Sequence, residues 1–225
     1  MKSGLIAAAL TAVSPLHIYF SQEARAYSLL WMMSLLSMLL YMRLNERYSK
    51  LRVFGYLAST TLLLYSHMYG WLILLAQNLH KLYTCRKSRE KVVAWLLLQL
   101  SILAFYIPWF SVLPYILSQH AYSWISQPDI PTLTFLSYQL FSGVVFSLLG
   151  IVLECLLIIL AARYFLMPDG GGKSMLLLWT VIPVSGPLFF SLVFTPVFTP
   201  KYVVFVSLPL LLAVSSCFRL PLVLS

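Results

Sequence analysis

Charged residues are scarce in this chain, and acidic residues are the scarcest of them. Only 9% of the 225 residues are Asp, Glu, Lys or Arg, and just six are acidic. A soluble domain of this size carries about a quarter charged residues. The low charge, together with 61% apolar residues and a mean hydropathy of +0.89, excludes an ordinary soluble globular domain.

Cysteine is also rare. Cys85, Cys155 and Cys217 lie in a basic loop or inside apolar runs. Their spacing fits neither a zinc site nor a disulfide framework. We therefore interpret the cysteines as packing residues, and they give no reason to expect a cysteine-based metal centre.

Long apolar runs make up most of the chain, and short basic clusters separate them. The clusters lie at 43–52, 81–91 and 163–173. Lys and Arg concentrated in short loops between apolar runs are typical of the cytoplasmic loops of membrane proteins. The net charge of +9 therefore indicates topology, and we expect membrane lipids rather than nucleic acid as partners.

The runs predict an all-α integral membrane protein, because open sheet edges are not tolerated in lipid. We expect one polytopic domain over residues 1–225, with about eight transmembrane or partly re-entrant helices. Two of the segments are short and form a hairpin that turns at His67. The predicted segments are 5–20, 26–42, 53–66, 68–82, 92–113, 138–162, 174–194 and 202–218.

Two cations stand apart from the rest in this topology. With the basic clusters in the cytoplasm, all of the 15 Lys and Arg residues except Arg25 and Lys201 fall on the cytoplasmic side. Arg25 and Lys201 face the opposite side, where the His67 turn also lies. The alternation singles out these two residues for a role outside the cytoplasm.

Residues 21–27 read SQEARAY and place an acid and a base between two apolar runs. An ionisable pair at a membrane boundary is costly and indicates a functional site. The structural alternative is helix capping, with Ser21 as N-cap and Glu23 as a first-turn acid. Capping does not account for Arg25, because the helix dipole disfavours a cation there. We therefore expect Arg25 to bind an external anion or a carboxylate on another segment.

Three stretches of the sequence carry a family resemblance. The first, PLHIYFSQEARAY at 15–27, has a proline followed by S-Q-E-A-R-x-Y. The others are YSHMYG at 65–70, similar to a Y-T-H-Y-x-G turn, and PKYVVFVSLP at 200–209, similar to an x-R-Y segment before a late helix. Together they resemble the motifs of bacterial membrane glycosyltransferases of the GT-C superfamily, in the branch of the dolichyl-phosphate-mannose protein mannosyltransferases and lipid A aminoarabinose transferases.

The resemblance implies transfer of a sugar from a polyprenyl-phosphate donor to a lipid, glycan or protein acceptor. It places the protein in the bacterial inner membrane, with the active face extracytoplasmic. Arg25 and Lys201 are then the expected phosphate partners, and Glu23 orients Arg25 or contacts the donor or a metal. His67, Tyr69, Tyr27 and Tyr202 complete the expected substrate-binding set. No cofactor is assigned, and a divalent metal stays open.

The chain also departs from the family pattern. In such enzymes an acidic loop after the first transmembrane helix carries the general base, whereas only MKSG precedes Leu5 here. We therefore expect the C-terminal portion of a larger GT-C bundle that lacks its first helices, with the catalytic base outside this chain. Two other functions stay open: a transporter or flippase-like protein, and a non-catalytic remnant or subunit.

Overall fold

The computed structural model confirms the all-α expectation. In the part of the chain that it describes, every regular element is helical and there is no strand. The described residues are 2–85, 87–112, 114–115, 125–141, 148–167 and 172–217.

The chain opens with two helices separated by a sharp bend. Helix α1 (Lys2–Val13) and helix α2 (Pro15–Gln22) are inclined by 56° to each other. Pro15 has no backbone N–H to donate to the preceding turn, and it favours an extended conformation at Ser14, where ψ is 122°. The predicted segment 5–20 is therefore divided into two helices at Ser14.

Residues 23–26 form a non-helical linker between α2 and helix α3 (Tyr27–Glu46). Ser21 still belongs to α2 and donates its hydroxyl to the carbonyl of Ile18 at 2.8 Å. The N-cap of α3 is Ala26. The capping alternative for Ser21 and Glu23 is therefore wrong, because the helix begins later than the sequence pattern suggests.

Three further helices pack beside α3. They are α4 (Lys50–Ser66), α5 (Gly70–Cys85) and α6 (Arg89–Tyr106), which continues as a 3₁₀ turn over Ile107–Ser111. The predicted hairpin is present, but its 17-residue and 16-residue helices are each about 25 Å long, which is longer than predicted.

The hairpin turn is tight because Gly70 lies directly against the preceding helix. A Cβ atom at Gly70 would lie 2.8 Å from the carbonyl oxygen of Leu63. No side chain other than the hydrogen of glycine fits this approach without backbone movement.

The second half contains helices α7 (Ile130–Phe141), α8 (Leu148–Leu166) and α9 (Lys173–Val193). It closes with α10 (Pro200–Val203), a 3₁₀ turn (Val204–Val206) and α11 (Ser207–Cys217). The predicted segment 138–162 overlaps α7 and α8, and residues 142–147 within it lie outside the described part. The predicted segments 174–194 and 202–218 agree with α9 and with α10 to α11.

The described residues contain four helices that are long and apolar enough to cross a membrane, or five if the bent α1–α2 pair counts as one span. The length and apolar composition of these helices are those of membrane-spanning helices, and they indicate an integral membrane protein, as the composition of the chain predicts. The four are Tyr27–Glu46, Arg89–Ser111, Lys173–Val193 and Pro200–Cys217.

A buried polar network joins the helices of the first half. The Tyr56 hydroxyl donates to Gln77 Oε1 at 2.8 Å, and Gln77 Nε2 donates to Ser37 Oγ at 3.0 Å. Ser37 Oγ lies 2.8 Å from Thr60 Oγ1, and Gln99 Nε2 reaches the Tyr56 hydroxyl at 3.5 Å. Polar bonds of this kind hold helices together in lipid, where the hydrophobic effect between helices is absent.

The helices place two chemically different regions at opposite ends of the bundle. We call the region around the α3–α4 and α5–α6 loops the basic end, where Arg52 and Lys81 bond across to the end of α3. We call the region around 23–27, 65–71, 106–110 and 197–202 the aromatic end. Ring contacts and hydrogen bonds such as Tyr65 to the Phe105 carbonyl, at 3.0 Å, connect its segments.

Candidate functional site

The linker 23–26 carries the predicted acid and base at the aromatic end. The backbone N–H of Arg25 donates to the Glu23 carbonyl at 2.7 Å, so the linker turns sharply between the two residues. The Arg25 side chain is exposed, and Glu23 is partly exposed. Among the described residues the ion pair found is Arg43 to Glu46, so Glu23 and Arg25 lie close in sequence without a direct salt bridge.

Arg25 instead interacts with Tyr27, the first residue of α3. A hydrogen bond from the guanidinium to the Tyr27 hydroxyl raises the pKa of Arg25, and the nearby Glu23 carboxylate acts in the same direction. The guanidinium is therefore a permanent cation. It lies near Tyr27 and Tyr202, two tyrosines that are far apart in the sequence.

His67 lies in the turn between α4 and α5. Its Nδ1 accepts a hydrogen bond from the Tyr69 backbone N–H at 3.1 Å, and burial lowers the pKa of the imidazole to about 4. The ring is therefore neutral at physiological pH, and its one proton is on Nε2, which is a donor. The His67 ring centroid lies 6.3 Å from that of Tyr27 and 4.9 Å from that of Tyr202.

Tyr69 connects this turn to the segment before α10. Its hydroxyl donates to the Val197 carbonyl at 2.6 Å. From the other side, Ser191 Oγ accepts the backbone N–H groups of Val197 and Phe198 at 2.9 and 2.7 Å. These bonds hold residues 195–199 against α9 and the hairpin turn, and so set where α10 begins.

Lys201 and Tyr202 open α10 beside the same turn. The Lys201 ammonium nitrogen lies 5.7 Å from the Tyr202 ring centroid. The Tyr202 ring lies 5.4 Å from that of Tyr69, in addition to its contact with His67. The fold thus brings residues from three predicted motifs, nearly 180 positions apart in sequence, into one continuous cluster.

A cavity of about 580 Å³ adjoins this cluster. His67, Tyr69 and Tyr202 line it, whereas Glu23, Arg25, Tyr27 and Lys201 are not among its lining residues. None of its described lining residues is Asp, Glu, Lys or Arg. The described lining residues are Leu64, Tyr65, Ser66, His67, Met68, Tyr69, Trp71, Leu72, Trp109, Gly186, Pro187, Phe190, Val197 and Tyr202.

Aromatic side chains that the sequence did not single out form one wall of the cavity. Tyr106 is buried behind this wall, with its ring stacked 5.2 Å from Trp109 and edge-on to Trp71 at 5.1 Å. Tyr65 contacts the same ring at 5.3 Å. From the sequence alone, Trp71 and Trp109 look like any tryptophans of a membrane-interface belt. Only the tertiary structure, which brings them together at the cavity, distinguishes them from the other aromatic residues.

The described residues contain no group of three or more His, Cys, Asp or Glu side chains arranged to hold a metal ion. Asp129, a further acid of the chain, accepts the Thr132 backbone N–H at 2.8 Å at the start of α7. This bond and that of the Thr132 hydroxyl lower the pKa of Asp129. Asp129 therefore caps a helix, and it is not part of the cluster described above.

The described lining of the cavity is uncharged and rich in aromatic side chains, and Arg25 and Lys201 each lie near Tyr202 at its edge. Comparison with known proteins adds no identification, since no family model, no curated protein and no solved structure matches the chain.

Proposed function

We propose that this protein is a membrane glycosyltransferase of the GT-C type that uses a polyprenyl-phosphate sugar. The observation that carries the proposal is the pairing of two cations, Arg25 and Lys201, with an uncharged aromatic cavity at one end of the helical bundle. A polyprenyl-phosphate sugar has the matching parts, namely one phosphate and uncharged groups on either side of it.

In this proposal Arg25 and Lys201 bind the phosphate of the donor. A guanidinium binds phosphate oxygens through two parallel hydrogen bonds, and an ammonium adds a point charge. During transfer the bond between the sugar and the phosphate breaks, and negative charge collects on the departing lipid phosphate. Preorganised cations at that position stabilise the transition state more than the ground state. Glu23, two residues from Arg25, orients it from the linker.

The cavity binds an uncharged part of the substrate. Desolvation inside an aromatic chamber disfavours a charged group, so the phosphate stays at the cations outside it. The neutral His67 donates from Nε2, and the hydroxyl oxygens of Tyr65 and Tyr69, whose protons bond to backbone carbonyls, act as acceptors. The general base that deprotonates the acceptor is not assigned to any of these residues.

The proposal sets the membrane arrangement as well. The basic end lies in the cytoplasm and the aromatic end on the extracytoplasmic face of a bacterial inner membrane. About eight segments of a GT-C-like bundle cross or enter the bilayer, and the α4–α5 hairpin is one of the shorter, partly re-entrant elements. The acceptor, a lipid, glycan or protein, approaches from outside.

A binding titration tests the phosphate site directly. Trp71 and Trp109 line the cavity, so intrinsic fluorescence of the purified protein reports occupancy when polyprenyl monophosphate is added. We expect Arg25→Ala and Lys201→Ala each to raise the dissociation constant by about tenfold or more, because each removes a charge-assisted contact. Arg163→Ala, which removes an exposed cation in the last turn of α8, is the matched control.

The uncharged polyprenol provides the second arm of the same experiment. If polyprenol binds as tightly as the phosphate, or if Arg163→Ala weakens binding as much as Arg25→Ala, the assignment of the cations is wrong. Transfer is then measured in membranes with radiolabelled polyprenyl-phosphate sugars. Arg25→Ala is expected to leave less than a tenth of the wild-type transfer without changing membrane insertion.

A transporter or flippase-like function is the second candidate, and one observation favours it. The α1–α2 pair is a discontinuous helix that breaks by 56° at Ser14, one short helix before the Arg25 linker. Transporters build ion and substrate sites at such breaks. Uptake or lipid scrambling by the protein in vesicles, in the absence of any sugar transfer, would support this candidate over the first.

A further inference from the structure

The basic end carries a dense positive surface that the proposed transfer reaction does not use. Glu46 and Glu90 are the acids within it, against eight cations. Most of the cations are exposed, and the charges are therefore not buried against other parts of the fold. We call this set the basic surface: Arg43, Arg47, Lys50, Arg52, Lys81, Lys87, Arg89 and Lys91.

The fold joins two separate loops into this one surface. The Arg52 guanidinium donates to the Arg47 carbonyl at 3.0 Å and to the Arg43 carbonyl. Lys81 donates to Asn45 Oδ1, which ties the end of α5 to the end of α3. Carbonyl and amide oxygens satisfy these donors, but they do not neutralise the charge. The α3–α4 and α5–α6 loops therefore present a single positive field.

The helix dipoles largely cancel at this surface, so the side chains set its charge. Helices α3 and α5 end where α4 and α6 begin, and two negative dipole ends therefore lie beside two positive ones. Helix α4 begins with Lys50 and has no acid in its first turn, and α6 begins with Arg89, Glu90 and Lys91. The cations at these two helix starts are disfavoured by the local dipole, and an anion in a headgroup layer relieves that repulsion.

Apolar side chains beside the cations show what kind of anion fits. Tyr48, Leu51 and Phe54 are 73%, 80% and 69% exposed, and Tyr83 is 63% exposed. Large apolar groups next to lysine and arginine suit the boundary between headgroups and acyl chains. A surface for soluble polyanions would have no need of them. The candidate spans α3 and α6 also end at this surface, which places it at the membrane boundary.

We propose that the basic surface binds the headgroups of anionic phospholipids. The phosphates and other acidic oxygens of the headgroups contact the cations, and the exposed apolar side chains reach the first part of the acyl chains. This inference depends on membrane insertion alone, and it stands whether or not the protein transfers a sugar.

Quenching of tryptophan by brominated lipids tests the proposal. Trp95 lies at this end, with the Lys81 ammonium nitrogen 5.5 Å from its ring centroid, and its contribution to the quenching is obtained as the difference between the wild type and Trp95→Phe. The protein is placed in mixed vesicles, and its tryptophan fluorescence is quenched by brominated phosphatidylglycerol or by brominated phosphatidylcholine. The measured quantity is the ratio of the association constants of these two lipids for the protein. We expect the wild type to prefer phosphatidylglycerol by about tenfold at low salt, and to lose most of that preference at high salt.

Two triple variants separate charge from structure. Lys87→Gln with Arg89→Gln and Lys91→Gln is expected to bring the ratio close to one. Lys87→Arg with Arg89→Lys and Lys91→Arg keeps the charge and is expected to keep the preference. A wild-type ratio of one, or an unchanged ratio in the glutamine variant, would overturn the proposal. If the glutamine variant fails to fold, the salt titration of the wild type decides.

Discussion

The two ends of the bundle use the same kinds of cation in opposite surroundings. At the basic end, lysines and arginines stand side by side, exposed, over two helix starts. At the aromatic end, Arg25 bonds to Tyr27 and Lys201 lies beside Tyr202, and both flank a neutral cavity. The charge of a residue is therefore a poor guide to its role, whereas its neighbours are informative.

The difference has a physical origin in how each end is held together. The basic end is built from loops whose side chains reach helix carbonyls and an amide oxygen, and exposed charges there are easily rearranged. The aromatic end is built on close backbone approaches and buried rings. A ligand that needs a rigid frame fits the aromatic end, and a fluid headgroup layer fits the basic end. The four changes below test this contrast.

Gly70→Ala is expected to have the largest effect on stability, about 3 kcal/mol, because overpacking in this place meets backbone rather than a flexible side chain. The added Cβ would lie 2.8 Å from the Leu63 carbonyl oxygen. Thermal unfolding in detergent measures the loss. Gly4→Ala is the control, since nothing lies within 4 Å of its Cβ position. Equal stability of the two variants would show that the aromatic end is not rigid.

Ser191→Ala is expected to cost about 2 kcal/mol. It leaves the backbone N–H groups of Val197 and Phe198 without their acceptor, and buried unsatisfied donors are expensive. Ser101→Ala, which removes a hydroxyl bonded to a carbonyl of its own helix, is the comparison. The unfolding midpoint should fall clearly for the first variant and little for the second. A similar fall in both would contradict the anchoring of the Lys201 segment.

His67 makes the aromatic end sensitive to acid. Its pKa is about 4 in the folded protein and about 6.5 when unfolded, so the unfolded state binds more protons between these values. Stability is therefore complete above about pH 6.5 and falls by roughly 1 kcal/mol per pH unit towards pH 4. Unfolding midpoints measured over this range should depend less on pH in His67→Asn, which keeps an acceptor for the Tyr69 N–H.

Tyr56→Phe is expected to have the smallest effect, about 0.6 kcal/mol, the average for hydrogen bonds between membrane helices. It removes the bond to Gln77 from the polar network that lies between the two ends. Tyr48→Phe, at a residue that is 73% exposed, should leave the unfolding midpoint unchanged. A loss as large as that of Gly70→Ala would mean that the network, and not the turn, organises the first half.

Several parts of the fold could be predicted from local sequence alone. Apolar runs bounded by basic clusters predict α3, α9 and the span from Pro200 to Cys217, because hydropathy and loop charge are local properties. The break at Pro15 could have been predicted by the same reasoning, since proline ends hydrogen bonding locally. The start of α3 was harder to predict from the sequence. Glu23 after Ser21 is a capping signal for a helix start at Ser21, whereas the tertiary structure begins the helix at Tyr27.

The candidate site was only partly accessible to the same reasoning. Arg25, His67 and Lys201 could be chosen from motif and topology, but Trp71 and Trp109 could not be separated from the other aromatic residues. Their role depends on α5, α6, α9 and α10 converging around one space. No local pattern encodes that convergence, because it results from contacts between residues more than a hundred positions apart, such as Tyr69 and Val197.

The sequence by itself determined that this is an all-helical membrane protein, with its basic clusters kept apart from Arg25 and Lys201. Those properties follow from the free energy that is lost when unpaired backbone groups or charges are exposed to lipid. This constraint applies to each segment independently of the others. The tertiary structure alone decided that Arg25, His67 and Lys201 flank one neutral aromatic cavity, and that two basic loops form one surface. Both outcomes depend on which helix ends meet, and packing between distant segments decides that.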